Sequence, residues 1–327
     1  MAYGIALPHA VRRTKGCLLE LVDMDQYRLF IDGFRRQARR PRGRRFPVTQ
    51  EREIELVGVS ETALWTAEMR AGESRKQNAL FSDPWAGNFV AAAGGFHGPP
   101  GAGAFQVLLP EWLAVRTRFF DDYLRAGVGS GCRQVVLLGA GLDTRAFRLD
   151  WPAGTRLYEV DLPAVHAFKE EVLAGCAPSV GERIAVAADL QGSWSDALLE
   201  AGFDPAEPAA WLCEGLLYYF EPEVVEAIVT TVSGLSAPGS SLGAECLNAE
   251  TAQSSFMRPW LEDMAAAGTP WPWRLRDSGG WWAGHGWATE VADLWSLPYV
   301  VERMGAFRNL LQGGEELSML LVTGTRK

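Results

Sequence analysis

The sequence predicts a doubly wound α/β fold, a mostly parallel sheet with helices on both faces. Three observations carry this expectation. Short apolar runs alternate with helical stretches from Gln134 onward, the first run ends directly in a Gly-x-Gly turn, and the second ends in a carboxylate 20 positions after that turn's last glycine (161 minus 141). A chain of 327 residues is long enough to bury one large core, and its 48% apolar and 22% charged residues are ordinary for a folded globular protein. Disorder throughout and collagen-like structure are excluded.

The elements follow in chain order. Residues 1–50 read as a basic extension, in which Leu18, Leu21, Val22, Phe30 and Phe34 fall near helical spacing and eight arginines from Arg28 to Arg45 face a single acid, Asp32. Such an arm is either a solvated tail or a docking surface for an acidic partner. Residues 51–110 form a helical lid segment, helix-rich from Ser60 to Val90 and then broken by a Gly/Pro stretch from Gly94 to Gly103 that suits a hinge. The main domain spans 111–327. A helix over Glu111–Ala126 leads to strands at Gln134–Leu138, Thr155–Val160, Arg183–Ala187, Ala209–Leu217 and Ser241–Leu247, with helices over Ala164–Leu173 and Pro222–Leu235. A tryptophan-rich cap at about 248–295 precedes a last, edge-proximal strand, Leu317–Thr323.

The charge balance, 31 basic against 40 acidic residues, argues against nucleic acid and anionic membrane as partners, because both bind through Lys and Arg. Five scattered cysteines, Cys17, Cys132, Cys176, Cys213 and Cys246, form no C-x-x-C pair, so reduced thiols and no metal site are expected. No run of about 18 apolar residues and no signal-peptide order appear, and a cytoplasmic protein is expected.

The chemistry concentrates in Val135-Val136-Leu137-Leu138-Gly139-Ala140-Gly141-Leu142-Asp143-Thr144. Gly139, Ala140 and Gly141 let backbone N–H groups approach a ligand that a Cβ would block. Thr144 stands where a dinucleotide fingerprint has its third glycine, which favours a cofactor without a pyrophosphate; S-adenosylmethionine (SAM) fits, and a nicotinamide enzyme is disfavoured. Asp161, followed by Leu162, is placed to accept both ribose hydroxyls. Asp189 can accept the adenine amine while Leu190 covers a ring face. Glu214 and the Gly215 backbone should face the cofactor from a strand end, and a buried Glu214 needs a cationic partner, for which the SAM ammonium is one candidate.

These residues resemble the leucine carboxyl methyltransferase family, in particular its bacterial branch of polyketide carboxyl O-methyltransferases. The resemblance runs through Val59-Ser60-Glu61-Thr62-Ala63-Leu64, Leu80-Phe81-Ser82-Asp83-Pro84-Trp85-Ala86, Arg116-Thr117-Arg118, Leu138 to Arg145, Glu159-Val160-Asp161-Leu162-Pro163 and Glu214-Gly215-Leu216-Leu217. It implies a class I SAM-dependent O-methyltransferase, a Rossmann-like sheet under a helical, Trp-rich cap. By position it implies that Arg116 holds the methionine carboxylate of SAM, although Arg116 also suits an ion pair with Asp121 or Asp122. Asp143 suits a helix cap as well as a ligand.

For the acceptor, a carboxylate is already nucleophilic at neutral pH and needs no base, whereas a phenol needs one. Of His9, His97, His166 and His285, only His97 and His285 are placed to approach an acceptor. Tyr219 and the cap residues Arg258, Arg274 and Arg276 are further acceptor-side candidates. Seven of the 13 tryptophans, Trp260, Trp271, Trp273, Trp281, Trp282, Trp287 and Trp295, lie in the last quarter and suit either cap packing or an aromatic acceptor pocket. The expected function is methyl-ester formation on a polyketide-like acid or a peptide C-terminus in specialised metabolism. The alternatives are phenolic or hydroxyl O-methylation and a non-catalytic SAM-binding scaffold.

Overall fold

The computed structural model describes residues 59–95, 104–308 and 319–327. The basic extension, its candidate helix and His97 lie outside the described residues.

Seven strands form one sheet: β1 (Gln134–Leu138), β2 (Arg156–Asp161), β3 (Glu182–Ala187), β4 (Ala209–Cys213), β5 (Ser241–Leu247), β6 (Trp287–Val291) and β7 (Met319–Arg326), in the order β3-β2-β1-β4-β5-β7-β6. The first five pair in parallel, and β7 runs antiparallel to both β5 and β6. The order reverses at β1, which sits between β2 and β4. Open α/β sheets bind ligands outside the carboxyl ends of the strands at such a switch point. Strands β1 and β4 are buried along their whole length, as expected of central parallel strands read as apolar runs.

The strand pleat sorts the core into two layers. Val135, Leu137, Leu157, Ala210 and Leu212 face one layer, against Phe105, Leu108, Trp112, Phe120 and Leu124 of the long helix α3 (Ala104–Gly129). Helices α1 (Val59–Ser74) and α2 (Ala86–Ala92) pack on this side through Ala67 and Phe89. Val136, Leu138, Tyr158, Val160 and Trp211 face the other layer. The remaining helices are α4 (Arg145–Arg148), α5 (Pro163–Val172), α6 (Trp194–Glu200), α7 (Pro222–Gly234), α8 (Arg258–Ala266), α9 (Gly280–Gly284) and α10 (Pro298–Arg308). Both α5 and α7 begin with a proline in the first turn, where its missing N–H is no loss and its fixed φ favours the helix.

Three differences from the sequence expectation have physical causes. The strand expected over Ala209–Leu217 ends at Cys213, because Gly215 takes φ +63° and turns the chain into a 3-10 helix at Leu217–Tyr219. The segment assigned to the cap also contains an unforeseen strand, β6, whose alternating burial hangs on the sheet edge. The final strand, described from Met319, runs past the expected Thr323 to Arg326, and it lies one place in from that edge, between β5 and β6, as an edge-proximal strand should. The tryptophans of the last quarter therefore divide: Trp260 and Trp271 join the α3 layer, whereas Trp273, Trp282 and Trp287 join the α7 layer.

Candidate active site

A cavity of about 440 Å³ opens at the carboxyl ends of β1, β2 and β4, within the range of small-molecule sites. It is lined by Arg116, Gly139, Ala140, Gly141, Asp161, Leu162, Asp189, Leu190, Glu214, Gly215 and Tyr219. The structure thus brings together in one place the residues that the sequence singled out for the cofactor.

The floor is built by backbone geometry. Gly139 and Gly141 take φ +60° and +51°, and a Cβ at Gly139 would collide with the Leu216 side chain. Asp161 pins the turn: Gly141 N donates to its Oδ2 at 2.6 Å and Leu162 N to its Oδ1 at 2.7 Å. Burial pushes the Asp161 carboxyl above its ordinary value, against these two bonds, which favour the charged form. Each oxygen keeps a lone-pair direction for a ligand donor. Gln191 N donates to Asp189 Oδ1 at 2.9 Å, fixing the carboxylate that follows β3.

At the other end of the cavity lies a chain of alternating charges. Arg116 donates from Nε to Glu214 at 2.8 Å and from Nη1 to Glu245 at 2.8 Å. Arg145 Nη1 sits 2.7 Å from the second oxygen of Glu214 and 2.5 Å from Asp143, while Arg145 Nε donates to Asp121 at 2.7 Å. Arg148 completes the series on Asp121. Burial alone would push the Arg116 pKa down, but Glu245 and Glu214 raise it above its ordinary value, so the guanidinium is permanently charged. The partner that Glu214 needs is supplied by Arg116 and Arg145 of the chain itself. Arg116 does not pair with Asp121 or Asp122: Asp121 serves Arg145 and Arg148, and Asp122 serves Arg118 and Arg125. Asp143, one residue before the N-cap Thr144 of α4, accepts from Arg145 N at 2.6 Å and also lines the cavity.

Aromatic side chains make the opposite wall. Tyr218 stacks on Trp271 with centroids 4.1 Å apart, Tyr219 meets Trp271 edge-on at 5.7 Å, and Trp260 continues the wall toward Phe105. Trp112 and Trp65 come from the helices α3 and α1. Burial raises the Tyr219 phenol to about 12 and pushes Tyr218 well above its ordinary value.

Four acceptor-side candidates do not line the cavity. Arg258, on α8, is mostly exposed and lies 3.8 Å from Glu262. His285 sits in a separate groove beside α7, with Nε2 2.9 Å from Glu226 and Nδ1 2.9 Å from the Trp281 carbonyl, because α9 packs on the opposite layer from the site. Arg274 and Arg276 do not line the cavity, and His166 is buried against the Val186 carbonyl. Sequence reasoning missed Arg145, Glu245, Tyr218 and Trp112. The signal for Glu245 was present: it is the one charge in the strand Ser-Leu-Gly-Ala-Glu-Cys-Leu. Among the described residues no cluster of His, Cys, Asp or Glu is arranged to hold a metal ion, and no helix is long and apolar enough to cross a membrane.

The family model described as leucine carboxyl methyltransferase matches residues 63–233, which span the glycine turn, Asp161 and Glu214. The chain belongs to the leucine carboxyl methyltransferase family. A relative from Parafrankia sp., provisionally named an S-adenosyl-L-methionine-dependent methyltransferase, is 49% identical over 250 residues, covering 72% of this chain and 79% of its own. One of the same provisional name from Streptomyces avermitilis is 40% identical over 263 residues, covering 76% and 89%. As a member of this family, the chain is a SAM-dependent methyltransferase. In fold it is similar to a DUF574 family protein from S. avermitilis (TM-score 0.50, 17% identity, 80% of this chain and 97% of that one). It is also similar to a provisionally named methyltransferase from Thermobifida fusca (TM-score 0.51, 17% identity, 84% and 97%).

The residues present fit the cofactor. The glycine floor leaves room for close approach, Asp161 and Asp189 offer acceptors for hydroxyl and amine donors, and the charge chain offers both signs to an amino-acid end.

Proposed function

We propose that the enzyme methylates a carboxylate, producing a methyl ester on a small organic acid of specialised metabolism. The observation that carries this reading is the absence of a ready base: among the described residues lining the cavity there is no histidine, and burial pushes both wall phenols upward, Tyr219 to about 12. The carboxylates Asp161, Glu214 and Glu245 are held by backbone N–H groups or guanidinium groups and are poorly matched to a hydroxyl of pKa about 10. An acceptor that is already an anion needs none of them.

When bound, SAM supplies an electrophilic methyl group on a sulfonium. Asp161 accepts ribose hydroxyls, Asp189 and Leu190 take the adenine, and the glycine floor supports close approach. Arg116 keeps Nη2 for the methionine carboxylate, its Nε and Nη1 being engaged by Glu214 and Glu245. The aromatic wall strips water from the acceptor. Carboxylate and sulfonium would give two neutral products, so charge would be dispersed and partly neutralised on the way to the transition state, which an apolar enclosure would favour. Orientation in such an enclosure is worth up to about 7–11 kcal/mol in favourable intramolecular cases.

The alternative of hydroxyl or phenol methylation would have to use a carboxylate as its base, there being no histidine among the described cavity residues, and a peptide C-terminus would draw on the basic segment Arg28–Arg45, outside them. A cytoplasmic setting is part of the reading; the four described cysteines are free thiols. The test is transfer of labelled methyl from SAM to a panel of organic acids and phenols. Label that mild base releases supports an ester, and base-stable label on a phenol overturns it.

A further inference from the structure

We propose that Glu245 is a positioning residue, whose buried carboxylate aims the Arg116 guanidinium at the methionine end of the cofactor and ties it to the aromatic wall. The inference rests on the SAM site described above and adds a residue to it.

Glu245 lies in the middle of β5 and is fully buried. Its Oε1 accepts from Trp112 Nε1 at 2.9 Å, and its Oε2 accepts from Arg116 Nη1 at 2.8 Å, Gly215 N at 3.0 Å and the Tyr218 hydroxyl at 3.2 Å. Three of these partners, the Trp112 indole, the Arg116 guanidinium and the Gly215 N–H, can only donate, and the Tyr218 hydroxyl is the fourth. Burial pushes the Glu245 carboxyl up, whereas the Arg116 charge and these donors favour the carboxylate. All four partners line the cavity. One oxygen therefore joins the guanidinium of the cofactor end, the backbone of the Gly215 turn and the ring that stacks on Trp271. Gly215 is open to this: a Cβ there would stand 3.3 Å from Arg116 Nη1, so the guanidinium lies directly against the bare backbone.

A buried ion pair contributes little that well-packed apolar groups would not, so burial and pairing alone assign no role; what distinguishes Glu245 is that all its partners line the cavity. The chain holds a control. Glu159 on β2 is as buried and is also ion-paired, its Oε2 with Lys169 Nζ at 2.8 Å and Arg183 Nη2 at 2.7 Å, yet it does not line the cavity.

The experiment compares two ligands by calorimetry in the full chain: SAM, and methylthioadenosine, which shares its adenosine half but lacks the amino-acid end. For Glu245→Gln we expect the SAM dissociation constant to rise about tenfold or more, the equivalent of a charge-assisted hydrogen bond, with methylthioadenosine moving less than about twofold. Glu159→Gln should leave the ratio of the two constants unchanged. Should Glu245→Gln fail to fold, Glu245→Asp keeps the charge and withdraws the carboxylate by one methylene, and the ratio should still rise severalfold. A ratio unmoved by the Glu245 variant that folds, or moved equally by Glu159→Gln, overturns the proposal. Failure of the wild-type chain to bind SAM would instead strike the cofactor reading itself.

Discussion

The floor of the cavity and its aromatic wall are made by different means. The floor is local: two glycines, the carboxylate that pins them and the next strand end lie within some twenty residues and are held by backbone N–H groups. The wall is assembled from α1, α3, the turn after β4 and the segment around Trp260–Trp271, far apart in sequence and joined by ring contacts. A floor held by backbone bonds tolerates little variation, because its ligand is read through main-chain geometry. The wall can exchange rings while keeping an apolar enclosure.

The first way to break the comparison is through the tryptophans of the opposite layer. Trp282 is fully buried among α7-side residues and does not line the cavity. Trp282→Ala should lower unfolding free energy by about 3–5 kcal/mol in denaturant titrations, while the folded fraction binds SAM as the wild type does. Lost SAM affinity without lost stability would mean that this layer belongs to the site. Next in size is the floor itself. Asp161→Ala removes two backbone hydrogen bonds and the proposed ribose acceptor, and calorimetry should show SAM binding weakened about 100-fold. An unchanged dissociation constant would remove Asp161 from the cofactor site.

The same division decides what the sequence reveals. Strands β1 and β2, the glycine turn and the position of Asp161 are legible because local chemistry dictates them: apolar runs, glycine at positive φ, and a carboxylate at a strand end. Gly215 also signalled the end of β4, but the apolar Leu216-Leu217 obscured it. The wall is not legible in this way. Trp271 and Trp273 are two residues apart and join opposite layers, and only the path of the intervening irregular chain decides which ring meets the cavity. For the same reason Trp287 reads as cap although it starts β6. A lone glutamate in β5 announces that it needs partners, but not that Arg116, 129 positions earlier, is one of them.

The charge chain beneath the floor should appear in acid. Burial pushes Asp143 up, but Arg145 outweighs it and holds the carboxyl at about 2, below its ordinary 3.8. Asp121, between Arg145 and Arg148, is likewise lowered against its own burial. A depressed carboxyl contributes stability that is complete above its unfolded value and is lost as pH falls through the folded value, here between about 4 and 2. For Asp143 this amounts to about 2 kcal/mol. Asp143→Asn should therefore be less stable than wild type at neutral pH by about that amount and should lose less stability between pH 4 and 2, the remainder coming from Asp121. Parallel acid titrations of the two proteins would show that the pairing with Arg145 contributes no net stability.

The smallest expected effect sharpens the comparison most. Trp271→Phe keeps an aromatic ring against Tyr218 but shortens the wall, and an aromatic contact of this kind contributes about 1 kcal/mol beyond its buried area. The KM for the acid acceptor should rise about fivefold, with the SAM dissociation constant unchanged. Trp271 rests against Tyr218, whose hydroxyl is fixed independently by Glu245. A ring change should therefore stop at the wall. If Trp271→Phe weakens SAM as much as it weakens the acceptor, the two halves are one mechanical unit, and Glu245 carries displacement across the site as well as holding Arg116 in place.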